Sequence, residues 1–286
     1  MQTTSKLFFI TGVSSGFGRA FAETALQTGH TVVGTVRRAD DAAAFRALDS
    51  RRALVALVDV TDDEAVRRAV DDVEQTHGPI DVAIANAGYG HEGILEESPM
   101  SELRRQFEVN VFGAVATIQA VLPHMRRRRS GHILGVTSMG GLMTVPGLAY
   151  YNGSKYALEG ILETLGKEVA GLGIHVTAVA PGSFRTDWAG RSMVRSDRSI
   201  PDYDEVMDPV RARRHAAHGN QLGDPRKAAE AVLAIIDQPA PPAHLLLGSD
   251  ALRLVTNARR SVDDEIAAWA DLSRSTDLAE GAQLAG

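Results

Sequence analysis

Residues 7–18 have the sequence LFFITGVSSGFG, an apolar run followed by a turn that contains three glycines. The apolar run over residues 7–11 predicts a buried strand, and a helical pattern begins at about Gly16. The glycines permit a tight turn and a close approach of the backbone to a phosphate, and the helix N-terminus behind them favours negative charge. The stretch therefore predicts a pyrophosphate-binding turn, with an ordinary unoccupied turn as the alternative.

Apolar runs of this kind recur along the chain and alternate with helical patterns. Because the runs are apolar nearly throughout, they predict strands buried on both faces, and the alternation with helices makes the sheet parallel. We expect one α/β domain over residues 1–286, a doubly wound parallel β-sheet of about seven strands with helices on both faces, of the Rossmann type. The predicted strands cover residues 7–11, 31–36, 53–58, 80–85, 133–137, 174–180 and 245–247, and the longest predicted helices cover about 100–128 and 149–172.

Two segments fall outside this alternation. Residues 185–223 separate the sixth strand from the next helix, and a long insertion in a compact domain is often a lid or a binding loop. We expect this segment to be a substrate-binding lid. Residues 249–286 form a C-terminal extension, which either extends an interface between subunits or covers the substrate site.

Composition excludes several function classes. The chain of 286 residues has a formal net charge of −6, which disfavours nucleic acid as a partner. It has no cysteine, so disulfides, thiolate catalysis and cysteine-ligated zinc are excluded. No run approaches the roughly 20 apolar residues of a membrane helix, and the N-terminal apolar run is too short for a signal peptide. We therefore expect a cytoplasmic protein without a membrane partner.

An arginine run and a histidine pair carry weaker signals. Four arginines at residues 126–129 follow an apolar helical stretch, and cations suit the C-terminal end of a helix. His215 and His218 are three residues apart, which is a spacing that metal ligands use, but neither has an acidic or histidine third ligand nearby in the sequence. We predict a helix end at the arginines and no metal site at the histidines.

The residues after the second strand bear on the choice of cofactor. In dinucleotide-binding folds an acidic residue at this point binds the ribose 2′-hydroxyl of NAD. Here Arg37 and Arg38 follow the strand, and arginine suits a 2′-phosphate through paired, charge-assisted hydrogen bonds. Asp40 and Asp41 lie too far along the chain to replace the ribose-binding acid. The sequence predicts that NADP(H) is preferred over NAD(H), with a surface arginine pair in a loop as the alternative.

Tyr151 and Lys155 lie four residues apart in a predicted helix and therefore share one face. A tyrosine titrates at about 10, so it needs a nearby positive charge to exchange a proton with an alkoxide at neutral pH. Ser138 follows the fifth strand at the sheet edge where doubly wound folds bind ligands, and its hydroxyl can donate to a carbonyl oxygen. Tyr150 has a serine instead of a lysine four residues on, so Tyr151 is the better acid. The alternatives are a strand-end turn residue for Ser138 and a core aromatic residue for Tyr151.

In these motifs the chain resembles the single-domain branch of the short-chain dehydrogenases/reductases. The resemblance extends from about Lys6 to Gly248. The chain departs from the family pattern at Ala85, where the family has an asparagine, and at Ser15, where NADP enzymes often have lysine or arginine. The NADP prediction therefore rests on Arg37, with Arg38 as a helper. The matching motifs are Thr11-Gly12 with Gly16 and Gly18, Asp59-Val60-Thr61-Asp62, Asn86-Ala87-Gly88, Asn110, Ser138 with Tyr151 and Lys155, and Pro181-Gly182-Ser183-Phe184-Arg185-Thr186.

The resemblance implies an oxidoreductase that moves a hydride between a nicotinamide and a carbonyl or alcohol. It implies that Tyr151 is the general acid in reduction and the base in oxidation, and that Ser138 polarises the carbonyl. Lys155 would hold the nicotinamide ribose and lower the pKa of Tyr151, and Asn110 would fix a water that links Lys155 to solvent. The implied cofactor-binding residues are Gly12, Ser14, Ser15, Gly16, Phe17, Gly18, Arg37, Asp59, Val60, Asn86, Ala87, Gly88, Tyr151, Lys155, Pro181, Gly182, Phe184 and Thr186.

Large apolar residues indicate the size and polarity of the substrate. With bulky side chains in or near the lid, we predict a medium-sized carbonyl or alcohol with apolar bulk, such as a steroid-like, retinoid-like or aromatic ketone. The alternative for each side chain is that it packs the lid against its own body. Two other functions stay open, an NAD-linked alcohol or hydroxysteroid dehydrogenase and a non-catalytic NADP(H)-sensing protein. A homo-oligomer, dimer or tetramer, is compatible with the long helices. The bulky residues are Met139, Leu142, Met143, Phe184, Trp188, Met193, Tyr203 and Met207.

Overall fold

The computed structural model describes residues 5–217 and 219–278. Seven strands form one parallel sheet in the order β3-β2-β1-β4-β6-β7-β9, which confirms the doubly wound α/β fold. The other two strands pair with each other, away from this sheet. The strands are β1 Leu7–Ile10, β2 Thr31–Val36, β3 Ala53–Leu57, β4 Val82–Ala85, β5 Gly90–Glu92, β6 Gly131–Val136, β7 Ile174–Pro181, β8 Met193–Arg195 and β9 His244–Leu247.

Helices cover both faces of the sheet. One apolar core contains residues of α3, α5 and α6, and the other contains residues of α1, α2 and α8. Strand β1 contributes to both cores, because successive side chains of a strand point to opposite faces of the sheet. Phe9 lies in the first core, and Phe8 and Ile10 lie in the second. The helices are α1 Gly16–Gln27, α2 Ala39–Arg46, α3 Asp63–Thr76, α4 Met100–Phe107, α5 Gly113–Arg128, α6 Ala149–Val169, α7 Asp204–Ala217, α8 Pro225–Ile236, α9 Ser249–Ala268 and α10 Ala270–Arg274.

The strand order reverses between β1 and β4. From β1 the chain first builds the sheet outward through β2 and β3, and it then returns to place β4 on the other side of β1. The helices that follow these two strands therefore diverge, and a crevice opens at the carboxyl ends of the strands. This topology fixes where a ligand binds before any side chain is considered.

The long helix predicted over residues 100–128 is present but changes its winding. Between α4 and α5 the chain makes a π-helical turn at Glu108–Phe112, which contains the buried Asn110. Such turns are rare and often occur at functional sites. The arginine run ends the helix as predicted, because α5 ends at Arg128 and Arg129 adopts a left-handed conformation with φ 52°.

The 185–223 segment has structure that the sequence did not indicate. Strand β8 within it pairs in parallel with β5, and α7 follows. Each of these strands has only three residues, which is too short to show a period of two. The C-terminal extension is helical up to Arg274. Within residues 5–217 and 219–278, no helix is both long and apolar enough to cross a membrane.

Candidate active site

A cavity of about 1100 Å³ opens at the carboxyl ends of β1, β4, β6 and β7. Cavities that hold drug-sized ligands measure roughly 300–1000 Å³, so this one has room for a dinucleotide together with a small substrate. The predicted catalytic and cofactor-binding residues all line it, with two exceptions. Gly18 and Asn110 are not among the described residues on its wall, and both support residues that are.

The glycine turn after β1 has the shape that a pyrophosphate requires. Gly12 and Gly16 have φ values of 73° and 60°, which only glycine adopts readily. A Cβ atom at Gly18 would overlap the carbonyl oxygen of Gly12 and the side-chain amide of Asn86. Ser15 precedes α1 without a capping side-chain hydrogen bond, so the first N–H groups of the helix stay available to an anion.

Asn86 holds this turn against β4. Its side-chain nitrogen donates to the carbonyl oxygens of Thr11 at 2.8 Å and Gly12 at 3.2 Å. The hydroxyl oxygen of Thr11 in turn accepts from the backbone N–H groups of Asn86 and Ala87, each at 2.9 Å. Two neighbouring strand ends are thereby locked together, and the departure at Ala85 leaves these contacts in place.

The far end of the cavity is lined by the residues that follow β2 and β3. Arg37 lies on this wall with an exposed side chain, and it forms no ion pair with a described residue. The Nη2 atom of Arg38 instead lies 3.5 Å from the Oδ2 atom of Asp40. Asp59 lines the same cavity, and its carboxylate accepts from the backbone N–H and the hydroxyl of Thr61 at 3.1 and 2.9 Å.

Ser138, Tyr151 and Lys155 meet at the other end of the cavity. Ser138 follows β6 and caps the short helical turn at Met139–Gly141, where its hydroxyl accepts from the N–H of Gly140 at 3.0 Å. Tyr151 and Lys155 lie in α6, and both are buried. The Lys155 Nζ atom donates to the carbonyl oxygen of Val136 at 2.8 Å and lies 5.8 Å from the centre of the Tyr151 ring. An ammonium has three N–H donors, so Lys155 has others for a ligand.

The surroundings shift the pKa values of both α6 residues. Burial raises the pKa of Tyr151 to about 12, and the nearby Ser138 hydroxyl and Trp188 indole N–H lower it only in part. Burial also lowers the pKa of Lys155 to about 8, against a raising effect of the Glu159 carboxylate. The two groups that lower the pKa of Tyr151 are thus Ser138 and Trp188, whereas the resemblance implied Lys155. A tyrosine with this pKa is protonated at neutral pH, which suits a proton donor.

Asn110 links the π-helical turn at Glu108–Phe112 to the cavity wall. Its side-chain amide accepts from the N–H of Tyr89 and donates to the carbonyl oxygen of the same residue, both at 3.0 Å, and it donates to the Ser154 hydroxyl at 3.2 Å. These bonds use both N–H groups of the amide, and they position Tyr89, which lines the cavity. The water that the resemblance assigns to Asn110 stays a prediction.

The 185–223 segment covers the end of the cavity that holds Tyr151. Trp188 lies with its ring centre 5.1 Å from that of Tyr151, and its indole nitrogen is buried without a hydrogen-bond partner among the described residues. Helix α7 is held by Glu92, a carboxylate only 2% exposed, which accepts from Arg211 at 2.9 Å and from Arg214 at 2.8 Å. Burial raises the pKa of Glu92, but the hydrogen bond and charge of Arg214 and the other arginines hold it below its usual value.

Only part of the predicted apolar wall lines this cavity. Met193 lies against Gly90 and Met207 lies against Gly147, so both pack the segment onto the body. Tyr203 is also turned away, because its hydroxyl donates to Glu96 at 2.6 Å. Met139, Phe184 and Trp188 line the cavity, whereas Leu142, Met143, Met193, Tyr203 and Met207 do not.

Two other sequence candidates lie outside the site. The Tyr150 hydroxyl donates to the carbonyl oxygen of Ser98 at 2.6 Å and is therefore committed to the fold. His215 lies in the last turn of α7, and His218 lies outside the described residues.

Comparison with known proteins identifies the family. Residues 6–195 match the family model described as short chain dehydrogenase. The chain belongs to the short-chain dehydrogenase family. As a member, it is an NAD(P)(H)-dependent oxidoreductase that acts on alcohol or carbonyl groups. Solved structures with the same fold include ones with NAD and with NADP bound.

Three similar proteins span most of the chain. Oxidoreductase BOA17 of Botryotinia fuckeliana is 36% identical over 270 residues, which cover 94% of this chain and 98% of that protein. A 3-ketodihydrosphingosine reductase of Bacteroides thetaiotaomicron is 32% identical over 244 residues, covering 85% and 88%. The crystal structure of a short-chain dehydrogenase from Streptomyces avermitilis is 39% identical with a TM-score of 0.89, covering 96% of this chain and all of that one.

Sequence reasoning missed several residues that line the cavity of this short-chain dehydrogenase. Tyr89 was missed although it directly follows the predicted Asn86-Ala87-Gly88 motif, and that adjacency was an available signal. The others come from α4, the 185–223 segment and the residues between them, where no local pattern connects them. The missed residues include Tyr89, Arg105, Val109, Arg191, Val194, Arg214 and Gln221.

Proposed function

We propose that this protein is an NADPH-dependent carbonyl reductase that interconverts a ketone or aldehyde and an alcohol, with Tyr151 as the general acid and base. The observation that carries the proposal is the juxtaposition of Tyr151 and Ser138 at the buried end of a dinucleotide-sized cavity, with Lys155 one helical turn away. A non-catalytic NADP(H) sensor would not require this arrangement, so the enzyme is favoured.

Three side chains of the protein take part in the transfer of the proton. In the reductive direction a bound nicotinamide cofactor supplies the hydride. Ser138 holds the carbonyl oxygen of the substrate and stabilises its growing negative charge. Tyr151 gives its phenolic proton to the same oxygen, and it takes the proton back in the oxidative direction. Lys155 places positive charge beside the phenolate that results and so stabilises it until a proton returns from solvent.

Trp188 contributes to the same step in this proposal. Its buried indole N–H forms no hydrogen bond of good geometry with a described residue, although it lies close enough to Tyr151 to lower the pKa of the phenol. A buried donor without a partner has a cost of about 1–3 kcal/mol, so a ligand or phenolate oxygen that accepts from it is favoured. We assign to Trp188 the role of a further donor near the reacting oxygen.

The preference for NADP(H) rests on Arg37. Its side chain lies on the cavity wall after β2 and forms no ion pair with a described residue, which leaves its guanidinium for a 2′-phosphate. Asp41 lines the same cavity and is the acid available to an NAD-linked alternative, although its position in the sequence predicts that it lies too far along the chain to bind the ribose. An arginine that faces no carboxylate partner favours the phosphate.

The substrate is proposed to be of medium size with apolar bulk. Met139, Phe184, Trp188 and Val194 give the wall near Tyr151 an apolar character. The relative named 3-ketodihydrosphingosine reductase supports a ketone of this kind. A homo-oligomeric state and a cytoplasmic location stay predictions from the sequence.

The first experiment compares two adjacent tyrosines. NADPH consumption is measured with a panel of bulky and small ketones for the native protein, Tyr151→Phe and Tyr150→Phe. General acid catalysis contributes about 10²–10⁴-fold, so Tyr151→Phe is expected to lower kcat by that factor. Tyr150→Phe removes a hydroxyl that bonds only to Ser98, so its kcat is expected to change by less than about threefold. Equal activity of Tyr151→Phe and native protein would refute the assignment.

The second experiment tests the cofactor. Replacing Arg37 with alanine removes a charge-assisted contact to the 2′-phosphate, which is worth about 1.5–3 kcal/mol. We expect the KM for NADPH to rise at least tenfold and the KM for NADH to stay unchanged. Arg38→Ala is the matched control, because Arg38 lies next to Asp40. A native enzyme that uses NADH better than NADPH would contradict the proposal and favour Asp41.

A further inference from the structure

Helix α9 leaves the body of the protein half-way along its length. Ala251 and Val255 are buried, and this end of the helix packs on β9 and on the turn at Met139–Gly141. From Arg259 to Trp269 every residue is exposed. The second half of the helix therefore has no support from the described part of the chain.

The exposed half nevertheless has an apolar face. Val262, Ile266 and Trp269 follow the helical spacing of i, i+4 and i+7, and they are 54%, 64% and 61% exposed. This stripe continues the side of the helix on which Ala251 and Val255 are buried. We call Val262, Ile266 and Trp269 the α9 stripe. The same face is thus covered by the body in its first half and open in its second.

Such an arrangement is unfavourable for a monomer. Helical segments shorter than about 12–15 residues are marginal in water, and most of their stability in proteins comes from packing of an apolar face. A contiguous exposed apolar surface usually marks a site of interaction. The exposed half of α9 therefore lacks the packing that would hold it as a helix.

The charges beside the stripe identify the partner. Arg259 and Arg260 lie just before Val262, and three acidic residues, Asp263 to Glu265, lie just after it. None of these five residues forms an ion pair with another residue in 5–217 or 219–278. If two copies of α9 cross in antiparallel orientation near Val262, the basic end of each lies level with the acidic end of the other. A parallel crossing would oppose like charges.

We propose that the α9 stripe is a contact surface for a second copy of this chain, in a two-fold, antiparallel pairing of the C-terminal helices. A two-fold interface uses the same patch on both subunits, and the charge pattern of α9 is complementary to itself when reversed. A lipid surface fits less well, because three acidic side chains beside the stripe are repelled by anionic headgroups.

The test measures the molar mass of the full-length protein by analytical ultracentrifugation. Ile266→Glu places a charge in the stripe and is expected to halve the mass. Ala267→Glu, one residue along on the other side of the helix, is the matched control and is expected to leave the mass unchanged. Raising the salt concentration is expected to weaken the pairing. An Ile266→Glu variant with the native mass, or a native protein that is monomeric, would overturn the proposal.

Charge exchange tests whether the charges beside the stripe stabilise the pairing, and cross-linking tests whether the stripe itself is in contact. Arg259→Glu/Arg260→Glu gives residues 259–265 only acidic charges, and Asp263→Lys/Asp264→Lys/Glu265→Lys gives the same residues only basic charges. Each variant alone is expected to lose the pairing, and an equimolar mixture is expected to recover it. Failure of the mixture to pair would overturn the proposal.

The chain has no cysteine, so a single introduced thiol reports one contact. Val262→Cys is expected to form a cross-linked dimer, and Asp264→Cys, on the opposite side of the helix, is not. Equal cross-linking of the two would overturn the proposal. Sedimentation of native protein, but not of Ile266→Glu, with phosphatidylcholine–phosphatidylserine vesicles would assign the stripe to a lipid surface instead.

Discussion

The proposed cofactor end of the cavity is built from short turns that directly follow strands. The proposed substrate end is covered by residues 185–223, which are held by side chains far away in the sequence. At the first end, Asn86 and Thr11 join two neighbouring turns through backbone groups. At the second, Glu92 holds two arginines that follow it by more than 100 residues. The first end is fixed by the sheet, and the second depends on a few long-range contacts.

Because the two ends are held differently, substitutions at one end are expected to have other consequences than substitutions at the other. A change in the glycine turn alters a backbone path that has little freedom, because the sheet and α1 fix both of its ends. A change in the contacts of α7 loosens the cover and leaves the turn intact. Cofactor affinity and the KM for the substrate are therefore expected to respond independently to substitutions at the two ends.

Among the changes that distinguish the two ends of the cavity, Gly18→Ala is expected to have the largest effect. The added Cβ atom would overlap the carbonyl oxygen of Gly12 and the amide nitrogen of Asn86, and neither can move without opening the turn. Overpacking of this kind costs about 1–3 kcal/mol. We expect the Kd for NADPH, measured by fluorescence titration, to rise by one to two orders of magnitude, and the urea midpoint to fall.

Gly160→Ala is the matched control for this change. Gly160 lies in α6, and no atom lies within 4 Å of the position of an added Cβ. Alanine is favoured over glycine in a helix interior by about 1 kcal/mol, so this variant is expected to be more stable with unchanged cofactor affinity. If Gly18→Ala binds NADPH as tightly as Gly160→Ala does, the turn is not the rigid element that we describe.

The same difference between local and long-range contacts determines which features of the structure can be predicted from the sequence. The sheet, the glycine turn and the Tyr151–Lys155 pair depend on periodicity or on close spacing, and the structure places them as expected. The pairing of β5 with β8 and the contact of Glu92 with α7 depend on residues that are distant in sequence and too few to form a pattern. The apolar wall was therefore only partly predicted, because its side chains are positioned by those contacts.

A smaller effect, confined to the substrate end, is expected from Glu92→Gln. The change removes the buried negative charge that Arg211 and Arg214 share, and loss of one partner of a buried pair costs about 3–5 kcal/mol when burial is complete. Both arginines are partly exposed, so we expect about 2 kcal/mol from urea unfolding. The KM for the carbonyl substrate is expected to rise roughly tenfold, and the Kd for NADPH to stay within twofold of the native value.

Glu96→Gln is the control for this prediction, because Glu96 also contacts the 185–223 segment but does so at the surface, through the Tyr203 hydroxyl. Exposed contacts of this type contribute about 0–1 kcal/mol. A Glu92→Gln variant that loses NADPH affinity as strongly as substrate affinity would show that the two ends of the cavity are coupled.

The smallest effect is expected where the two ends meet, at Lys155. Burial lowers the pKa of Lys155 to about 8, and the buried Glu159 carboxylate raises it. Glu159 is fixed by hydrogen bonds with Thr137 at 2.5 Å and His244 at 3.1 Å. Since the ammonium form is present below the pKa, kcat/KM is expected to fall above about pH 8 in the native enzyme.

Glu159→Gln removes the negative charge and keeps the shape of the side chain. The pKa of Lys155 then falls further, so the alkaline decline in kcat/KM is expected to move to lower pH. At pH 6 most Lys155 is still charged, and the variant is expected to approach the native rate there. Glu163→Gln, one turn further along α6, removes an exposed carboxylate that pairs with Lys167 and is expected to leave the profile in place. A uniform loss of activity at every pH would mean that Glu159 only supports the packing of α6, and an unchanged profile would mean that the Lys155 charge does not limit the reaction.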